Sequence, residues 1–205
     1  MGKDNITNID TDIIDTDERE EHWRELLETC SNCDRCELHK SRNKLVFGKG
    51  SHDAKIMFIG EAPGEAEDRE GLPFVGRAGK LLDKYMSYVD FTLDNVYIAN
   101  ILKCRPPQNR DPEESEQDNC IDYLRLQTKL IDPKIIVCLG RIAAIRIIRP
   151  DFRITSEHGI WVKKGNIYMT AIYHPSALLR DAAKKADALL DFKSVREKAA
   201  ELGIL

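Results

Sequence analysis

The sequence predicts an α/β fold, a central and mainly parallel sheet of four strands with helices on both faces. Three observations carry this. Four short apolar runs, "KIMFIG", "VYIANI", "KIIVCLG" and "IYMTAIYH", recur along the chain. Stretches of helical periodicity separate them. The segments that follow three of the four runs are rich in Gly, Pro and polar groups, as loops at the carboxyl ends of parallel strands are when they form a site.

The elements follow in order. Residues 1–21 carry eight acidic residues against Lys3 and Arg19, and read as a polar, disordered tail. The tail accounts for the formal charge of −4: the rest of the chain holds 29 basic and 27 acidic residues. A nearly neutral body can still carry a basic groove, because binding follows the local field. Residues 22–205 suit a single domain with a full core. Roughly residues 18–30 form a short charged helix running into "CSNCDRC". The first strand, Lys55–Gly60, ends in glycine, and Gly76–Val89 is a helix with Leu81, Leu82, Tyr85 and Met86 on one face. Val96–Ile101 is the second strand. A helix then opens with Asp111 as N-cap and Pro112 at its first position. Lys134–Gly140 is the third strand, followed by a helix ending near Pro150. Ile167–His174 is the fourth, followed by Pro175 and a helix, and Lys184–Leu202 is a last amphipathic helix.

No apolar run approaches the roughly 20 residues of a membrane span, and the acidic start is unlike a signal peptide. The expected location is therefore the cytoplasm, with no membrane association. Disulfides are rare there, so clustered cysteines favour metal or redox chemistry. Cys30, Cys33, Cys36, Cys104 and Cys120 are candidates, whereas Cys138 lies inside an apolar strand and reads as core. Two cysteines of the front cluster with Cys104 and Cys120 would make a four-thiolate site. Spacing alone allows zinc and an iron–sulfur cluster equally.

The loops offer further chemistry. "GEAPG" (Gly60–Gly64) is a locked turn able to present backbone N–H groups, or simply a tight connection. "GLPFVGRAGK" opens like a phosphate loop but has Arg77-Ala78 where Lys and Ser/Thr are required, and G-x-G-x-x-G follows none of the strands. His174 ends a strand, where it can donate to a developing oxyanion, although a lone histidine is more often structural. Asn100 also ends a strand, and its amide can pair with a base edge or tie down a loop.

Together, "GEAPGEAEDREGLPFVGRAGKLL", "NILKCRPPQNR" and "HPSALLR", in this order behind a front Cys-x-x-Cys, resemble the family 4 uracil-DNA glycosylases, the iron–sulfur members of their superfamily. The resemblance runs from Cys33 to the C-terminus. It implies a monofunctional glycosylase that flips uracil out of DNA, hydrolyses its N-glycosidic bond and leaves an abasic site for base excision repair. It implies a 4Fe–4S cluster on Cys33, Cys36, Cys104 and Cys120, from the register of "CELHKSRNKLVFGKG", with Cys30 an extra cysteine and a Cys30/Cys33 pairing the alternative. It also implies roles. Phe74 stacks on uracil, Asn100 pairs with N3–H and O4, and the backbone N–H groups of Ala62 and Glu61 bind O2. His174 hydrogen-bonds O2 as charge develops there, and Glu67 closes the pocket against a thymine methyl. Leu178 and Leu179 wedge into the vacated stack, while Arg105, Arg180 and Ser176 contact DNA. Where the superfamily's "GQDPYH" motif has a water-positioning Asp, this chain has Ala62, with Glu61 the nearest carboxylate and the catalytic candidate beside His174. The implied partner is uracil-containing DNA, the implied state a monomer, and downstream repair proteins are further partners. Zinc-bearing DNA-binding modules, nucleotide-binding or redox α/β proteins and a sister glycosylase of broader base tolerance are the competing classes.

Overall fold

The computed structural model describes residues 16–205, so the disorder expected of residues 1–15 lies outside the described residues. Residues 16–21, assigned to the tail from sequence, instead open the first helix, α1 (Thr16–Ser31). Asp17 and Glu18 occupy its first turn, where the helix dipole favours negative charge. Arg19 pairs with Asp53, and Glu20 with His52 at 2.9 Å. Trp23 then packs edge-on against Phe47 and Tyr97, at centroid distances of 5.6 and 5.4 Å.

The sheet has six strands rather than four: β1 (Lys49–Gly50), β2 (Ile56–Gly60), β3 (Val96–Asn100), β4 (Ile135–Leu139), β5 (Val162–Lys164) and β6 (Ile167–Ile172). Their order is β1-β3-β2-β4-β6-β5. The four expected strands are the parallel core, and β1 and β5 are antiparallel edges. At two and three residues, these edges are too short and too polar to leave a period-2 pattern. Short, lysine-bearing edges also discourage pairing with another chain.

The helices are α2 (Glu65–Glu70), α3 (Arg77–Ser87), α4 (Glu114–Ile131), α5 (Arg141–Ile147), α6 (Ile154–Glu157), α7 (Pro175–Arg180) and α8 (Lys185–Glu201). α4 begins later than expected. Its N-cap is Glu113, whose backbone N–H donates to Glu116 at 2.9 Å, while Asp111 pairs with Arg141 instead of capping. Arg110 grips the same Glu116 carboxylate with two nitrogens, at 2.9 and 2.6 Å.

Alternate residues of the central strands feed two cores, as a period of two requires. Met57, Ile59, Tyr97, Ala99, Ile136 and Cys138 face α1, α4 and α5, whereas Ile56, Phe58, Val96, Ile98, Ile135 and Val137 face α3, α7 and α8. Every residue of β2, β3 and β4 is buried, which is why these strands read as unbroken apolar runs. Phe58 stacks on Phe192 and meets Phe91 edge-on, and truncating it to alanine would cost about 3–5 kcal/mol.

The chain leaves β2 for β3 on one side and later enters β4 on the other. The connections leaving β2 and β4 therefore diverge, opening a crevice at the carboxyl ends of these two strands.

Candidate active site

That crevice is a cleft of about 490 Å³. Each parallel strand delivers a group to it: Glu61 and Ala62 after β2, Asn100 at the end of β3, Gly140 and Arg141 after β4, His174 after β6. The turn after β2 is fixed by two backbone bonds, Ile101 N–H to Gly60 O at 3.0 Å and Leu102 N–H to Glu61 O at 3.1 Å.

Asn100 is 2% exposed, and its Oδ1 has no hydrogen-bond partner among the described residues. A buried acceptor left unpaired costs about 1–3 kcal/mol. An acceptor in this state is open to a donor from outside the described residues. Gly60 makes the space for it. A Cβ there would stand 2.3 Å from Asn100 Oδ1 and 2.7 Å from the Phe74 ring.

Phe74 sits at φ 51, in the left-handed region that non-glycine residues rarely occupy. Two contacts hold it there. Lys49 Nζ donates to its carbonyl at 3.2 Å, and Gly79 of α3 passes so close that a Cβ would fall 2.0 Å from that oxygen. The ring ends 5.7 Å from that of His174, inclined at 36°.

His174 caps α7, and its Nδ1 accepts the Ser176 backbone N–H at 3.2 Å. The Ser176 hydroxyl lies 2.7 Å from the same nitrogen and donates to it. An Nδ1 that accepts carries no proton, so the ring proton resides on Nε2. Burial, with the positive charge of Arg180 adding and Glu67 opposing, pushes the His174 pKa down to about 4. The imidazole is thus neutral at pH 7, with Nε2–H free to donate.

Glu67 is a clamp. Its carboxylate accepts N–H groups from Val75 and Gly76 at 2.9 Å each and from Gly64 at 3.1 Å, joining the turn after β2 to the start of α3. Glu61 makes no such bonds among the described residues. Burial and the negative Asp111, partly offset by Arg141, push its pKa up to about 7.

The other expected residues separate. Ser176 and Arg180 line the cleft, whereas Arg105 stands outside the lining, its Nε donating to Asn109 Oδ1 at 2.8 Å. Leu178 is 1% exposed in the core facing α3, so it is not available as a wedge. Leu179, 41% exposed, is. Sequence reasoning missed Asn109, Arg110, Asp111 and Arg141 in the lining. A signal existed for Asn109, which adopts φ 55, a conformation asparagine tolerates better than most residues.

Four residues beyond Asn100 lies a second hollow. Cys30, Cys33, Cys36, Cys104 and Cys120 line one small pocket together with Arg42, Lys103 and Tyr123. Cys138 lies apart, in β4. Arg42 Nη1 is 3.4 Å from Cys104 Sγ, and the Lys103 backbone N–H donates to Cys120 Sγ at 3.3 Å. Burial raises the thiols of Cys36, Cys104 and Cys120, the last to about 11. A bound metal reverses this, because thiolates are its ligands. The donor set is five sulfurs and one imidazole, His39, whose Nδ1 is turned to the Cys36 carbonyl at 2.7 Å; with no carboxylate in the lining and with N–H and guanidinium groups aimed at sulfur, it fits a soft thiolate-bound centre. Lys103 is 1% exposed and its ammonium donates to Asn100 O at 2.9 Å, Phe47 O at 3.2 Å and Gln127 Oε1 at 2.6 Å. It joins the two hollows.

The family model described as the uracil DNA glycosylase superfamily matches residues 47–195. Several curated relatives carry the name type-4 uracil-DNA glycosylase, among them the following three. The one from Archaeoglobus fulgidus is 41% identical over 184 residues, covering 84% of this chain and 91% of that protein. That from Sulfurisphaera tokodaii is 43% identical over 183 residues, 85% and 83% of the two chains. That from Thermotoga maritima is 39% identical over 171 residues, 82% and 88%.

Proposed function

This chain belongs to the uracil DNA glycosylase superfamily, and from that premise we propose how its cleft releases the base. The protein is a DNA glycosylase that hydrolyses the N-glycosidic bond of uracil in DNA. The observation that carries the mechanism is the pairing of an orphaned acceptor, Asn100 Oδ1, with a neutral imidazole whose free nitrogen is a donor.

A flipped uracil stacks on Phe74 and gives its N3–H to Asn100 Oδ1, while the Asn100 amide N–H meets O4. Cytosine has a lone pair at N3, so two acceptors would face each other and the buried oxygen would stay unpaired, a loss of about 1–3 kcal/mol. Thymine differs only by its methyl. Glu67 excludes that methyl because three backbone N–H groups hold its carboxylate in place.

As the bond between C1′ and N1 breaks, negative charge builds on uracil O2. His174 Nε2–H and the Ala62 and Glu61 backbone N–H groups receive it. A preorganised donor of this kind is worth about 10²–10³-fold in rate. A neutral donor also keeps its proton, so uracil leaves as an anion and is protonated afterwards. Water then adds to the cationic C1′ and gives up one proton, which balances the one the uracil anion takes up, and an abasic sugar with a C1′ hydroxyl remains. Glu61, half ionised near pH 7, is the carboxylate that orients this water. Arg180, Arg105 and Ser176 engage the backbone, and Leu179 fills the vacated stack.

Cys33, Cys36, Cys104 and Cys120 would hold a 4Fe–4S cluster, which when bound would cross-link the end of α1 to the loop and helix that follow β3. The support for this reading is the chemistry of the lining: five cysteines share one pocket, with the Arg42 guanidinium and the Lys103 backbone N–H directed at sulfur. The reading is completed by a monomeric, cytoplasmic enzyme whose abasic product passes to downstream repair proteins. The test is release of free base from matched oligonucleotides containing uracil, thymine or cytosine. Uracil alone should be released.

A further inference from the structure

The thiol pocket holds one sulfur more than a four-thiolate cluster uses. We propose that Cys30 is a reserve ligand: Cys30, Cys36, Cys104 and Cys120 form a second complete set, able to hold the centre when Cys33 cannot. This rests on the iron–sulfur reading above.

Cys30 lies in the last turn of α1, and the Cys33 backbone N–H donates to its carbonyl at 3.2 Å. The two residues therefore belong to one tight turn, three positions apart, and both line the pocket. They differ in access. Cys30 is 0% exposed, whereas Cys33 and Cys36 are part-exposed at the outer side. An oxidant arriving from solvent meets Cys33 before Cys30, so the shielded thiol is the one left to complete the set.

The surroundings of Cys30 also differ from those of an inert core cysteine. Cys138 is equally buried, but in β4, where burial alone acts on its thiol. Cys30 instead lines one pocket with Cys33, Cys36, Lys103, Cys104 and Cys120. Arg42, bonded to Cys104 and to the Ser31 carbonyl at the end of α1, adds a second cation.

The test compares the whole protein with Cys33→Ala, Cys30→Ala, the double variant and Cys104→Ala. Iron and acid-labile sulfide per chain are read beside the visible absorbance of the cluster and the far-UV circular dichroism. Both single variants at positions 30 and 33 should keep iron and sulfide close to the wild-type content. The double variant, left with three of the five pocket thiols, should lose about tenfold or more, the scale on which changes in a ligand sphere act; so should Cys104→Ala, a position to which the proposal assigns no reserve. Cys33→Ala as poor in iron as the double variant, yet folded, overturns the proposal. If Cys33→Ala does not fold, Cys33→Ser replaces it. If neither folds while Cys30→Ala does, Cys30 is no substitute and the proposal is again overturned. A wild-type protein without iron and sulfide would instead remove the iron–sulfur reading itself.

Discussion

The cleft and the thiol pocket are separated by four residues of chain, Asn100 to Cys104, yet they are held together by opposite means. In the cleft, polar groups are left waiting. Asn100 Oδ1 has no partner, Phe74 is held in a left-handed backbone, and Glu61 keeps a carboxylate poorly solvated beside Asp111. In the thiol pocket, sulfur receives donors from Arg42 and from the Lys103 backbone, and the Lys103 ammonium is satisfied by three acceptors. A transient guest is prepared for by unpaired groups and a permanent one by charge complementarity. The first arrangement costs stability and gains selectivity, in line with the clustering of strained residues at functional sites.

The sharpest way to break this comparison is to change one hollow and read both. Asn100→Ala and His174→Ala should each lower uracil release by about 10²–10³-fold, measured in single-turnover assays, with iron content unchanged. Asn100→Ala removes an unsatisfied buried acceptor, so its thermal midpoint should not fall. A drop in stability would mean that Asn100 is a structural tie after all.

Lys103→Met should damage both hollows together. It leaves the acceptors of Phe47, Asn100 and Gln127 without the ammonium, and a buried acceptor left unpaired costs about 1–3 kcal/mol, visible as a lower unfolding midpoint, lost iron and slower uracil release. If only one of the last two moves, Lys103 does not join the sites. Gly60→Ala is more local. The added methyl would displace Asn100 or Phe74, so kcat/KM should fall at least about tenfold, the cost of even 1.4 kcal/mol of misplacement, with the cluster intact.

The pH dependence sharpens the contrast within the cleft. Unfolded, His174 binds a proton near 6.5; folded, it does so only near 4. The unfolded state therefore holds more protons between these values, and this contribution to stability is lost as pH falls through that window. A His174→Ala variant should show a flatter loss of stability there by denaturant titration. Glu61 runs the other way, its folded pKa raised to about 7. Its contribution to stability is lost as pH rises from about 4.5 to 7, while its ionised form, and with it the rate, increases. Glu61→Gln should erase an inflection near pH 7 in the rate profile. The smallest effects concern α7. Leu179→Ala should weaken activity on duplex DNA a fewfold and spare single strands, whereas Leu178→Ala should instead cost about 2–5 kcal/mol of stability.

Three of the four parallel strands were legible because burial on both faces makes them unbroken apolar runs, and β6, buried over its last four residues, keeps enough of that pattern; the ends of β3 and β6 located Asn100 and His174 directly. β1 and β5 were hidden by brevity. The start of α4 was misread because Asp111, a good cap by type, is drawn to Arg141 across the cleft. That contact exists only because the strand order sets the loop after β4 near the loop after β3, a fact no local pattern carries. Leu178 and Leu179 are chemically identical, and only the packing of α7 on α3 decides which one is buried. Spacing already grouped Cys30 with the other thiols; what no spacing carries is that it is the fully buried member of the pocket lining.

The most direct test of the central claim uses iron-replete protein and three oligonucleotides that differ only in carrying uracil, thymine or cytosine at one position, with released base quantified for wild type and Asn100→Ala. The account predicts uracil release by the wild type alone, absent from the other two strands and reduced about 10²–10³-fold by the substitution. Equal release by Asn100→Ala, or release of cytosine by the wild type, would contradict it, because the orphaned oxygen would then not be what reads the base.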